Sequence, residues 1–140
     1  MRTVLLQLKS EEVRTALETN TALEDCSIIE AYPYILKPVR LTHCVIAVSP
    51  CGYFAERASL GRGEYVGEYS VCADVFIPYN LGSPYAFDII DEVVKTAQLM
   101  YASQVRASDI VTNDVIECFS IKCVFTFKGN ANITEESDGE

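Results

Sequence analysis

From Tyr65 to Ile77 the chain alternates. Tyr65, Gly67, Tyr69, Val71, Ala73, Val75 and Ile77 are interleaved with Val66, Glu68, Ser70, Cys72, Asp74 and Phe76. A period of two puts the first, apolar set on one face of a pleated strand and the second, mixed set on the other, so one face is buried and the other partly wet. A strand this long cannot bury its apolar face alone and requires partner strands and a covering layer. Past Pro78 the period changes. In "GSPYAFDIIDEVVKTAQLMYASQ" the residues Phe87, Ile90, Val94, Ala97 and Tyr101, broadened by Val93, form a helical stripe expected to face the sheet. Gly82 ends the intervening bend. Ser83 is placed to cap, and Pro84 suits the first helical position, where its missing N–H has no intrahelical partner anyway.

Three further segments complete the plan. "NDVIECFSIKCVFTFKG" returns to period two, with Phe119, Ile121, Cys123, Phe125 and Phe127 opposite Ser120, Lys122, Thr126 and Lys128. "RLTHCVIAVSP" reads as a strand stopped by Pro50, and the chain that follows is expected to run antiparallel to the 65–77 strand through a hairpin near "SLGRGE". "DCSIIEAYPYILKP" reads as a short strand that Pro33 and Pro38 hold to an edge. Near the N-terminus, Ser10 is a plausible N-cap for a short helix with Glu11 and Glu12 in its first turn and Val13, Ala16 and Leu17 on one face; an extension back through Leu5 and Leu8 is also compatible. The predicted architecture is α+β: an antiparallel sheet of about four to five strands against two helices, with a long β-hairpin loop, as one domain over 1–128. Residues 129–140 are acidic and nearly free of apolar side chains, and are expected to be disordered.

Composition narrows function mainly through charge. Hydrophobic residues at 49% and charged residues at 22% favour a folded chain. Twenty acidic against eleven basic side chains leave a formal charge of −9. Such a chain repels phosphate backbones and anionic lipid, and Arg57 and Arg62 are too few to form a basic footprint. Neither a membrane span nor a secretory leader is apparent, and the expected location is the compartment of synthesis.

The candidate chemistry is sparse. Six cysteines stand at 26, 44, 51, 72, 118 and 123 with no C-x-x-C spacing. Cys118 and Cys123 fall on opposite faces of one strand, so reduced, apolar cysteines are expected and no metal site. His43 beside Cys44, with Cys51 close in sequence, invites a thiol-nucleophile reading, but neighbours in a strand point apart. Asp88, Asp91 and Glu92 lie in the first turns of the second helix, where acids favour its dipole; the reading is a solvated face. "SLGRGEY" lacks the lysine and hydroxyl of a phosphate loop and precedes a strand. Asn132-Ile-Thr134 matches a glycosylation acceptor by chance. The eight tyrosines serve equally at an interface or at the rim of a core.

"ASLGRGEYVGEYSVCADVFIPYNLGSPYAFDIIDEVV" resembles the middle of tail terminator or tail completion proteins of long-tailed bacteriophages and prophages. A looser likeness runs through "IIEAYPYILKPVRLTHCVIAVSP" and "IECFSIKCVFTF", covering most of residues 26–127. The resemblance implies a small α+β subunit that closes into a hexameric ring on the tail tube, stops its polymerisation and offers the surface that joins the head. It implies no enzyme activity and no cofactor. The partners implied are copies of the chain itself, the tail tube protein and the head-tail connector protein, in the host bacterial cytoplasm during assembly and then in the virion tail. By analogy the subunit joint falls on Leu60, Gly61, Arg62, Gly63, Glu64 and Tyr65. A ring that DNA traverses should not grip it, and acidic residues such as Glu64 and Glu68 suit a lumen of that kind. Two other classes remain: a small-molecule-binding domain with a pocket between sheet and second helix, and a thiol-dependent enzyme using Cys44 or Cys51.

Overall fold

The computed structural model describes residues 2–3, 5–30, 42–57, 65–130 and 134–135. In chain order the elements are β1 (Arg2–Thr3), α1 (Leu5–Thr19), a 3-10 turn (Thr21–Leu23), β2 (Ser27–Glu30), β3 (Val45–Arg57), β4 (Tyr65–Pro78), a second 3-10 turn (Tyr79–Leu81), α2 (Gly82–Leu99), β5 (Gln104–Ala107), β6 (Val111–Asn113), β7 (Cys118–Asn130) and β8 (Thr134–Glu135). The main sheet runs β2-β3-β4-β7-β5, with β6 also on β7. The α+β architecture is as expected, and β3 and β4 form the long antiparallel hairpin. One pairing departs from an all-antiparallel sheet: β2 runs parallel to β3, with Ser27 opposite Val45 and Glu30 opposite Val48.

Both helices lie against one sheet face. Val13 and Leu17 of α1 and Ala86, Ile89, Val93 and Ala97 of α2 share a core with Ile46, Val48, Val71, Ala73, Val75, Ile77, Cys123 and Phe125. The alternating residues of β4 and β7 supply this face, and each fully buried Val, Ile or Phe contributes about 1.5–3 kcal/mol. The opposite face of β4 is less wet than alternation implies, since Cys72 and Asp74 are also buried.

Helix α1 takes the longer of the two sequence options and begins at Leu5. Ser10 is therefore no cap. It lies three residues before Val13 and seven before Leu17, on the buried face, and is itself buried. At the end of α1 the side chain of Asn20 accepts from the Ala22 N–H at 2.9 Å and donates to Thr96 Oγ1 at 3.1 Å and Glu92 Oε2 at 3.3 Å. One amide thus caps the 3-10 turn and ties it to α2.

Helix α2 buries Val93 and Ala97 as expected, but the rest of its inward stripe is rotated from the one expected. Ala86, Ile89, Val93, Thr96 and Ala97 are buried, whereas Phe87 is 57% and Tyr101 91% exposed. Small Ala86 and Ala97 let the helix axis approach β4 and β7, where Phe87 on that side would hold it off. The helix follows the Tyr79–Leu81 turn directly through Gly82, whose φ of 81° lies in the region glycine alone adopts without strain. No side chain caps the start, so neither Ser83 as cap nor Pro84 as first residue describes the junction.

Pro50 does not stop β3. The strand continues to Arg57 through a register shift between Pro50, opposite Val71, and Gly52, opposite Ser70. The extra residue of this bulge is Cys51. The bulge brings its Cα to 5.7 Å from that of Cys72, and the two form a disulfide, contrary to the expectation of six reduced thiols. A cross-link with 21 residues of separation stabilises by about 3 kcal/mol on the loop-entropy model. At the far end β7 runs to Asn130, past the boundary expected at 128, and Thr134–Glu135 pair with Arg2–Thr3. Residues 131–133 and 136–140 of the expected acidic tail lie outside the described residues.

Candidate functional site

The strongest candidate is the outer end of the β3–β4 hairpin. Among the described β4 side chains the buried one nearest the tip is Tyr69, stacked on Phe127 with ring centroids 6.1 Å apart. Four further rungs follow, from Phe54 opposite Glu68 to Arg57 opposite Tyr65. The Cys51–Cys72 disulfide staples the hairpin at its bulge, three residues from Tyr69 along β4 on the side away from the tip. Tyr65 begins β4; Leu60, Gly61, Arg62, Gly63 and Glu64 lie outside the described residues. Glu68 stands directly opposite Lys128, with Oε1 3.4 Å from Nζ and both side chains exposed. Half of the acidic pair expected to face a lumen is therefore locally compensated.

The other candidates disperse. His43 bonds Ser27 Oγ through Nε2 at 2.6 Å and Thr42 Oγ1 through Nδ1 at 3.1 Å, not a thiol. Cys51 is in the disulfide. Asp88 and Asp91 are exposed, as a solvated face requires. Glu92 bonds Asn20 and, through Oε1, Lys95 Nζ at 3.3 Å. Among the described residues no three His, Cys, Asp or Glu side chains gather into a metal site, and no helix is long and apolar enough to cross a membrane.

Two hollows are lined by described residues. One of about 190 Å³, between α1 and strands β2 and β3, is lined by Ser10, Glu11, Arg14, Glu30, Val48 and Pro50. The Arg14 Nε is buried there without a hydrogen-bond partner, 3.9 Å from Glu18 Oε1, and its Nη1 is 3.9 Å from Glu30 Oε2. The other, an open groove of about 550 Å³ between the end of α1 and α2, includes Asn20, Glu92, Lys95 and Leu99. Neither is the pocket between sheet and second helix that a small-molecule domain was expected to use.

One cluster has no counterpart among the sequence expectations. Cys26 and Cys44 stand one rung before the Ser27–Val45 pair, and the Ser27 N–H donates to the Cys44 carbonyl at 2.9 Å. The Cys44 thiol and the Tyr85 hydroxyl both donate to the Cys26 sulfur. These bonds lower the Cys26 pKa, the Cys44 bond most, against the cost of burial. Cys44 is pushed the opposite way, first by its bond to Cys26 and then by burial. Tyr85 rises to about 12, chiefly by burial and then by the charge on Cys26. Cysteines 18 apart in sequence carry no spacing signal, and only a parallel register brings them together.

No protein-family model and no curated protein sequence matches this chain.

Proposed function

We propose that the chain is a structural subunit of phage tail assembly, closing with copies of itself into a ring at the head-proximal end of the tail tube. In this reading the ring ends tube polymerisation against the tail tube protein and presents a surface to the head-tail connector protein. It works without catalysis or cofactor, first in the host bacterial cytoplasm and then in the virion tail. The observation that carries the reading is the β3–β4 hairpin, stapled at Cys51–Cys72 and extended four rungs past Tyr69. It presents the segment on which the tail terminator resemblance rests. A hairpin held by the sheet through its Arg57–Tyr65 rung is suited to carry a joint with a neighbouring copy, which the resemblance puts on Leu60 to Tyr65.

The test is native mass by light scattering after size exclusion across a concentration series, with electron micrographs of any large species. Six-fold rings that appear as concentration rises are expected. Leu60→Glu should abolish them while leaving the circular dichroism of the subunit unchanged. A tight dimer of two-fold symmetry, or rings indifferent to Leu60→Glu and to Tyr65→Ala, overturns the assignment.

A further inference from the structure

We propose that Cys26 and Cys44 form a thiol–disulfide exchange site, with Cys26 the attacking sulfur and Cys44 the resolving one, that takes small neutral or cationic disulfides. Its geometry is independent of the ring reading. Neighbouring strands lie about 4.8 Å apart, within the Cα separations of roughly 4.4–6.8 Å that a disulfide spans. Cys26 and Cys44 occupy facing positions just ahead of the β2–β3 rungs, where the Ser27 N–H donates to the Cys44 carbonyl at 2.9 Å.

The two thiols are unequal in the way the chemistry requires. Cys26 is partly exposed and Cys44 wholly buried, so an incoming disulfide meets Cys26 first. Donors from Cys44 and Tyr85 stabilise negative charge on Cys26, the form that attacks. By contrast Cys118 and Cys123 are buried, and burial pushes both thiols up. They are the internal controls.

The steps balance. Cys26 gives up its proton and its sulfur attacks one sulfur of the small disulfide. That S–S bond breaks, and the departing half leaves as a thiolate that takes up a proton. Cys44 then gives up its proton and attacks the Cys26 sulfur of the mixed disulfide, releasing the second half as a thiol. Two electrons pass from the protein dithiol to the small disulfide, giving a Cys26–Cys44 disulfide and two small thiols. The first step also readies the second. Once the Cys26 sulfur is in a mixed disulfide it holds no negative charge, so the charge that helps hold the Cys44 proton is gone, while burial still raises that thiol.

The choice of disulfide follows from charge. Glu24 and Asp25, next to Cys26, are both exposed, and the Asp25 charge acts on the Cys26 sulfur directly. They attract a cation and repel an anion. Cystamine and oxidised glutathione therefore serve as the probes, one cationic and one anionic.

The full-length chain is treated with each probe, remaining thiols are alkylated before unfolding, and peptides are mapped by mass spectrometry. The expected result is a Cys26–Cys44 cross-linked peptide pair, formed about tenfold faster from cystamine than from oxidised glutathione at low salt, with the ratio shrinking as salt is added. Cys118 and Cys123 should stay unmodified over that time. Cys44→Ala should leave cystamine trapped on Cys26, and Tyr85→Phe should slow the first step severalfold. Mapping of the unaltered protein decides even if Cys44→Ala fails to fold. Modification of Cys26 no faster than of Cys118, or cross-links that join Cys26 to any other cysteine, overturns the site.

Discussion

Cys123 has no exposed surface and faces Ala73 and Ala107 across its two neighbouring strands. Burial, with the Asp74 carboxylate second, pushes its thiol from the ordinary 9.0 up to about 12. The unfolded chain releases this proton near pH 9 while the folded chain keeps it. The stabilisation is therefore complete below pH 9 and lost as pH rises towards 12, with a limiting slope of roughly 1.4 kcal/mol per pH unit. Urea melts at intervals across that range should show the decline, and Cys123→Ala, though less stable at neutral pH, should flatten it. An unchanged slope in the variant would assign the loss to Cys44, raised first by its bond to Cys26 and then by burial, and to Cys118, raised by burial. Alternation along β7 is enough to place Cys123 on the core face. Which cysteines meet was not legible, because Cys51 reaches Cys72 through a bulge and Cys26 reaches Cys44 through a parallel register, and neither leaves a mark on cysteine spacing.

At the scale of elements, α2 shows where periodicity runs out. The stripes through Ile89 and Phe87 are offset by one residue, share Val93 and Ala97, and are both apolar enough to be buried. The seating that wins is the one that puts small Ala86, rather than bulky Phe87, against the sheet. Monomeric Ile89→Ala should then lose about 2–5 kcal/mol, as buried large-to-small changes do. Phe87→Ala should change stability by about 0.5 kcal/mol or less, as surface changes do. Equal losses at both positions in denaturant melts would reverse the assignment of faces. Long elements were legible because β4 and β7 alternate over more than one turn signal's reach. The short strands β5 and β6 were not, since four and three mostly exposed residues carry too little pattern to separate from a loop. The direction of β2 was equally hidden: antiparallel and parallel edges read alike when the strand has four residues.

At the scale of the whole molecule, the joint residues Leu60 to Tyr65 were named by resemblance, and alternation, charge and spacing contain nothing that singles them out as a contact. What the sequence does supply is the formal charge of −9 per chain. Copies with that charge repel one another, and the repulsion is screened beyond about 10 Å at 0.1 M salt. If the ring closes through the hairpin tip, its contacts must overcome this repulsion, so added salt should favour assembly. The fraction of rings at fixed protein concentration should rise between about 20 mM and about 500 mM sodium chloride, where screening tightens severalfold. A fraction that falls over the same range would mean that ion pairs, with Arg57 or Arg62 on a neighbour's acids, hold the joint instead. The two outcomes call for different second experiments: charge reversal at Arg62 if salt dissolves the ring, and truncation of Leu60 and Tyr65 if salt builds it.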